Sequence, residues 1–106
     1  GVARDDAEAA RLYRLAADQG DTDAQFKLGS MHEAGRGVCR DDAEAVRLYR
    51  LAADQDLKEA QCTLGTMYAE GRGVACDDAQ AVRLYRLAAD EDHTAAQDSL
   101  GRMYQG

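Results

Sequence analysis

The 106-residue chain has no proline and no tryptophan, and phenylalanine occurs once. Without proline, the strongest interruption of a helix is missing throughout. Alanine, leucine, arginine and aspartate are plentiful instead, and alanine and straight-chain residues lose little freedom in a helix. No apolar run approaches the roughly 20 residues that span a bilayer, which excludes a spanning helix, and no signal-peptide pattern opens the sequence. The chain therefore reads as a soluble protein or a soluble piece of one, in a compartment it does not specify. Three cysteines, Cys39, Cys62 and Cys76, form no C-x-x-C pair, and no histidine stands near one at zinc-ligand spacing. They are expected as free thiols, and neither a metal nor another cofactor is implied.

Charge of one sign is not lacking, but it is not segregated either. Lys and Arg number 13 against 20 Asp and Glu, a formal net charge of -7. An acidic surface repels phosphate backbones and anionic membrane faces, so nucleic acid and direct membrane insertion are set aside as partners. The charges are mixed along the chain and read as a solvated helical surface.

What is abundant is self-similarity. DDAEAARLYRLAADQG from Asp5, DDAEAVRLYRLAADQD from Asp41 and DDAQAVRLYRLAADED from Asp77 recur every 36 residues. Between them lies a second block: AQFKLGSMHEAGRGV from Ala24, AQCTLGTMYAEGRGV from Ala60 and AQDSLGRMYQG from Ala96. Two helical patterns at a fixed period of this length predict an all-α solenoid of stacked antiparallel helix pairs. Helices are expected at about 5–18, 22–34, 41–54, 58–70, 77–90 and 94–105.

Each D-D block begins with helix-start chemistry. Asp41 with Glu44, Asp5 with Glu8 and Asp77 with Gln80 have the spacing of a capping box. Ala45, Leu48, Tyr49 and Ala52 then form one apolar stripe at i, i+3, i+4 and i+7, with Leu51 and Ala53 expected to widen it and Arg47 and Arg50 left to water. In the A-Q block, Ala60, Leu64 and Met67 or Tyr68 recur at helical spacing, and Gly71 stands where a left-handed C-cap is wanted. Gly29, Gly65 and Gly101 sit inside their helices at a cost of about 1 kcal/mol each relative to alanine. Keeping that cost in three copies implies a packing need, expected where two helix backbones approach. Val38 and Val74 are expected to plug the top of each pair.

The order Ala60, Leu64-Gly65, Tyr68, Gly71-x-Gly73-Val74, Asp78, Ala81, Tyr85, Ala88-Ala89 resembles the Sel1-like repeat, a longer-looped relative of the tetratricopeptide repeat, and the match covers essentially the whole chain. The resemblance implies a right-handed superhelix that scaffolds protein complexes, often around membrane-associated degradation or signalling machinery. Gly1-Val2 aligns with Gly37-Val38, and the chain stops at Gly106 within an A-Q helix. The expectation is one solenoid over 1–106, truncated at both ends, whose uncovered end helices give weak self-association.

Positions identical in all copies serve the stacking they share, and positions that differ are released from it. In the A-Q helices the differing positions are Asp23, Phe26, Ser30 and Glu33, then Glu59, Cys62, Thr66 and Ala69, then Ala95, Asp98, Arg102 and Gln105. Each set falls at i, i+3, i+7 and i+10, a single helical face. The tetratricopeptide resemblance implies that this face lines the concave surface. Its expected occupant is a protein or peptide segment with basic and apolar residues. The reading is therefore an adaptor, with a purely structural spacer as the rival.

Catalytic signals do not converge. His32 takes the place of the Tyr68-type packing residue, and His93 falls in a turn. The Asp-Asp pairs at three helix starts are read as caps rather than metal ligands. A cysteine-rich branch of the resembled family, associated with penicillin binding and weak β-lactamase activity, staples each repeat with two cysteines eight residues apart. Here the matching positions are alanines, Ala52 or Ala53 with Ala60, and Cys62 is displaced by two. No enzyme is expected.

Overall fold

Among the described residues the elements follow in the order α1 (Val2–Asp18), α2 (Thr22–Ala34), α3 (Asp42–Ala53), α4 (Lys58–Glu70) and α5 (Asp78–Ala89). They come from a computed structural model that describes residues 2–89 and 101–102, with side chains from residue 5 onward. Among the described residues there is no strand, and no helix is long and apolar enough to cross a membrane. The helix expected over 94–105 lies outside them, apart from residues 101–102, which are helical.

The helix ends follow from single side chains and single carbonyls. The Ala24 N–H donates to the Asp21 carboxylate at 2.9 Å, the Glu44 N–H to Asp41 at 3.1 Å and the Gln80 N–H to Asp77 at 3.2 Å, each satisfying a donor that the first turn leaves without a partner. The reciprocal half of the expected capping box does not form. The Asp41 N–H is already held by the His32 carbonyl at 2.9 Å and the Asp77 N–H by that of Tyr68 at 3.0 Å. Glu44 turns instead to Arg47, 2.7 Å away. Asp5 is no cap either: α1 runs from Val2, which puts Asp5 in the first turn of the helix, where a carboxylate complements the helix dipole. At the other end, Gly35 and Gly71 adopt the left-handed conformation and close α2 and α4 through bonds to the Met31 and Met67 carbonyls.

Packing joins consecutive helices. In α3, Ala45, Leu48, Tyr49 and Ala52 are all at most 2% exposed, and Ala53 is buried beside them. Leu51 does not widen the stripe: it stays 40% exposed, as Leu87 does at the same place in α5. On the helix wheel it falls on the side of Leu48 away from Tyr49, outside the arc that neighbouring helices cover. Leu48 of α3 joins the cluster formed by Ala10, Ala17, Ala24 and Leu28 of α1 and α2, and Leu84 of α5 joins the one built on α3 and α4. Val38 and Val74 pack onto these two clusters. Each D-D helix thus keys into the pair before it, and the molecule is drawn out to 44 × 23 × 21 Å.

The helical glycines meet the backbone of the next helix, as expected from sequence, and closer still a tyrosine ring of that helix. A Cβ at Gly29 would lie 2.9 Å from Cε1 of Tyr49, and one at Gly65 would lie 2.9 Å from Cε1 of Tyr85. The Cδ1–Cε1 side of the tyrosine ring of the next helix lies against the glycine, and the backbone carbonyls of Ala45 and Ala81 are the further contacts. The Gly-Arg-Gly-Val turns have a second close approach: a Cβ at Gly37 would overlap the Asp6 carbonyl, and one at Gly73 the Asp42 carbonyl. The turn of one repeat is thereby pressed onto the start of the preceding D-D helix.

Candidate functional site

The A-Q face that differs between copies runs along α2 and α4. Asp23 and Glu59, at equivalent places near the two helix starts, are exposed; Phe26, Ser30, Glu33, Thr66 and Ala69 are half-buried, and Cys62 is buried. Arg102 is exposed, while Ala95, Asp98 and Gln105 lie outside the described residues. The α2 and α4 members thus occupy equivalent faces of their helices at graded depth.

The deeper members contact the next D-D helix. Phe26 meets the Tyr49 ring at 5.5 Å between centroids, tilted by 45°. The Tyr49 hydroxyl donates to Glu33 Oε1 at 2.6 Å and approaches Ser30 Oγ at 3.2 Å. In the following repeat, Thr66 Oγ1 lies 2.8 Å from the Tyr85 hydroxyl. Glu33 also accepts from Arg72 at 2.8 Å across 39 residues of sequence, and Arg72 pairs with Glu70 at 2.9 Å. Burial, reinforced by the bond to Glu33, pushes the Tyr49 phenol far above its ordinary value. Burial likewise raises the Cys62 thiol, which keeps it protonated and poorly nucleophilic.

Electrostatically, the outer edge of this face belongs to Asp23 and Glu59, since Glu33 is held by Arg72 and Tyr49. These two exposed carboxylates stand one repeat apart, and Phe26 and Ala69 on the same helical faces are half-buried. Cys39 and Cys76 are exposed free thiols and Cys62 a buried one. Among the described residues no group of three His, Cys, Asp or Glu side chains could hold a metal ion.

Several working residues escaped the sequence reading. Gln25 and Gln61, buried, donate from Nε2 to the Ala17 and Ala53 carbonyls at 3.4 and 3.1 Å, tying each A-Q helix to the end of the D-D helix before it. Their signal was identity in every copy. Arg50, expected to face only water, is exposed yet donates to the Tyr68 hydroxyl and sits over that ring at 5.5 Å. Its counterpart Arg14 reaches Nε2 of His32 at 3.1 Å, while Nδ1 of His32 lies 3.2 Å from the Cys39 carbonyl. A guanidinium only donates, so Nε2 accepts and Nδ1 carries the proton. His32 is a packing residue in the tyrosine's place.

The chain matches a family model for the Sel1 repeat three times, over residues 1–21, 22–57 and 58–93. The second and third matches start where α2 and α4 start, so one repeat is an A-Q helix followed by a D-D helix. Among solved structures it is similar to a protective antigen present in uropathogenic Escherichia coli strains that displays an SLR fold, at 44% identity and TM-score 0.85, covering 87% of this chain and 20% of that one. It is also similar to a Sel1 repeat protein from Oxalobacter formigenes, at 36% identity and TM-score 0.87, covering 92% of this chain and 40% of that one. Cysteine rich protein B of Helicobacter pylori, at 23% identity and TM-score 0.80 over 86% of this chain and 68% of that one, shares the fold. No curated protein matches the chain. The chain spans 20% and 40% of the length of the first two structures.

Proposed function

This chain belongs to the Sel1 repeat family, and from that premise we propose that it is an adaptor segment whose A-Q face receives a peptide or protein segment. Members of the family are in general scaffolds for protein interactions rather than catalysts. The observation that carries the reading is the grading along α2 and α4. Many positions shared between copies are consumed by stacking, while Asp23 and Glu59 repeat an exposed carboxylate on the face that also carries half-buried Phe26 and Ala69. The matching occupant is an extended or helical segment with Lys or Arg at repeat spacing and an apolar residue between.

The test is selection from a displayed random-peptide library on the immobilised chain. Enriched peptides should carry basic and apolar residues, and Asp23→Lys with Glu59→Lys should weaken them at least tenfold while the chain stays folded. Both side chains are exposed, and each stands in the first turn of its helix, so the expected cost to the fold is only the lost complement to the helix dipole, about 0.3–1 kcal/mol per site. Equal binding to parent and variant would place the contact elsewhere on the surface. A second reading, a structural spacer, draws on a different observation: Ser30, Glu33 and Thr66 are spent on tyrosine hydroxyls inside the stack. Failure of any peptide to enrich favours it. A β-lactamase-like activity is not proposed, since the likeness to the cysteine-rich protein extends to the fold alone.

A further inference from the structure

Stacking accounts for identity between the copies at most positions, but not at all of them. The sequence RLYRLAAD stands unchanged at 11–18, 47–54 and 83–90. Within it Leu48, Tyr49, Ala52 and Ala53 are buried, while Leu51 stays 40% exposed, as does its equivalent Leu87 in α5. Neither leucine owes this to a missing neighbour. Leu51 lies on the Leu48 side of α3 and Leu87 on the Leu84 side of α5, where the preceding helix pair packs, and that pair is in place for both. Copying alone does not explain the leucine either, because the A-Q helices of the same repeats differ at Phe26 and Cys62, at Ser30 and Thr66, and at Glu33 and Ala69.

Arginine accompanies each of these leucines. Arg47 and Leu51, like Arg83 and Leu87, stand one turn apart on the same side of their helix, and all four are exposed. Beyond the first turn, every charged residue of α3 and α5 is an arginine: Arg47 and Arg50, then Arg83 and Arg86. Arg47 is held by Glu44 at 2.7 Å, and Arg50 lies over the Tyr68 ring. Arg83 instead donates to a neutral group, Gln80 Oε1, at 2.9 Å. Asp54 follows as the C-cap of α3. In a chain with a formal net charge of -7, these outer sides form a cationic strip with leucine along it. The two leucines also have a usable spacing. α3 and α5 share one apolar cluster through Leu84, and packed helices lie about 8–10 Å apart. Residues i and i+7 of a helix lie on one face, about 10 Å apart along the axis. A helix laid across α3 and α5 can therefore set one apolar residue on each leucine.

We propose that the outer side of the D-D helices is a docking surface for an acidic amphipathic helix of a partner protein. Apolar residues at i and i+7 of that helix meet Leu51 and Leu87, and Asp or Glu beside them pair with Arg47 and Arg83. Charge selects this occupant. An anionic membrane or a nucleic acid also carries negative charge, but either extends beyond the strip and is repelled by the acidic remainder of the chain. A second copy docked through the same side would set arginine against arginine. A short acidic helix meets the strip alone. The contact is small and partly ionic, so its affinity is modest and falls with salt. It is independent of whether the A-Q face binds a peptide.

Selection on the chain from a displayed library of helical peptides randomised on one face tests this, with fluorescence anisotropy on the enriched peptides. Apolar residues should recur at i and i+7, flanked by Asp or Glu. Leu51→Gln with Leu87→Gln should weaken binding by about tenfold or more, and Arg83→Glu should weaken it separately. Glutamine matches leucine in helix propensity and both positions are exposed, so the circular dichroism of the variant should match the parent. Asp23→Lys with Glu59→Lys should leave these peptides bound, which keeps the result distinct from binding on the A-Q face. Failure of any acidic helix to enrich overturns the proposal, as does binding that survives the two leucine substitutions in a folded variant. Parent binding to phosphatidylserine vesicles that is lost in the leucine variant overturns it in favour of a membrane surface. Self-association lost in that variant overturns it in favour of a second copy.

Discussion

A glycine inside a helix costs about 1 kcal/mol against alanine, and Gly65 shows what outweighs that cost. The Tyr85 ring that occupies the missing Cβ position is 3% exposed, and its hydroxyl is tied to Thr66 at 2.8 Å, so it has little room to retreat. Gly65→Ala should therefore destabilise the protein by a net ~1–2 kcal/mol, overpacking exceeding the gain in helix propensity. The same change at Gly101, where nothing lies within 4 Å, should cost nothing; paired urea titrations distinguish the two. Tyr49 makes a second, pH-dependent contribution. Burial and the Glu33 bond hold its phenol far above the value of about 10 that it takes when unfolded. Above that pH the folded state binds more protons than the unfolded one, so this stability is complete below about pH 10 and is lost as the pH climbs beyond it. Tyr49→Phe should melt lower than the parent at pH 8 and lose less between pH 9 and 11; parallel alkaline declines would show that Tyr49 is not the responsible group. The sequence exposed the shared tyrosine but not its partner. Copy comparison separates shared from differing positions and says nothing of depth: Ser30 and Thr66 differ, yet either hydroxyl suits the tyrosine facing it.

At the scale of the element, caps and turns decide where each helix begins and how it is held. Asp41 caps α3 through the Glu44 N–H, and Asp41→Ala should cost about 1 kcal/mol in a thermal or urea melt. The cap was legible because aspartate followed by a helical stripe has one economical reading. The missing half of the capping box was not, because the competing acceptor, the His32 carbonyl, belongs to the preceding helix and comes near only in the folded chain. Turn glycines divide by what surrounds them. Gly73 has φ +74° and sits against the Asp42 carbonyl, whereas Gly20 has φ +91° with nothing within 4 Å. At the place equivalent to Gly20, the next copy carries Asp56 at φ +69°. Gly20→Asp should accordingly shift stability by less than about 1 kcal/mol, since aspartate visits this conformation with local hydrogen bonding. Gly73→Ala combines left-handed strain with overlap of a backbone oxygen, and its expected cost is roughly 2–4 kcal/mol. Equal effects at the two sites would mean that the turn does not press on α3.

Across the whole molecule, contacts run from each helix to its neighbours in sequence: α1 with α2, α2 with α3, α3 with α4 and α4 with α5. This is why period and stripe sufficed to read the architecture, since no distant pairing had to be guessed. It also explains why the outer edge of the A-Q face was legible while its inner members were not. The edge depends on helical spacing alone, whereas depth depends on how α3 and α5 lie against α2 and α4. A chain stacked in one dimension has stability that approximates a sum of repeat and nearest-neighbour interface terms, so opening proceeds inward from the ends. Leu64, 1% exposed in the cluster shared by α3, α4 and α5, belongs to interfaces on both sides of the central helices. Leu64→Ala should cost about 2–5 kcal/mol. Amide hydrogen exchange in the parent should be slowest in α3 and α4, and the substitution should accelerate α3, α4 and α5 together while leaving most of α1 near its original rate. Uniform acceleration over all five helices would instead show that the stack opens as one cooperative unit, with inter-repeat coupling too strong for the sum to hold.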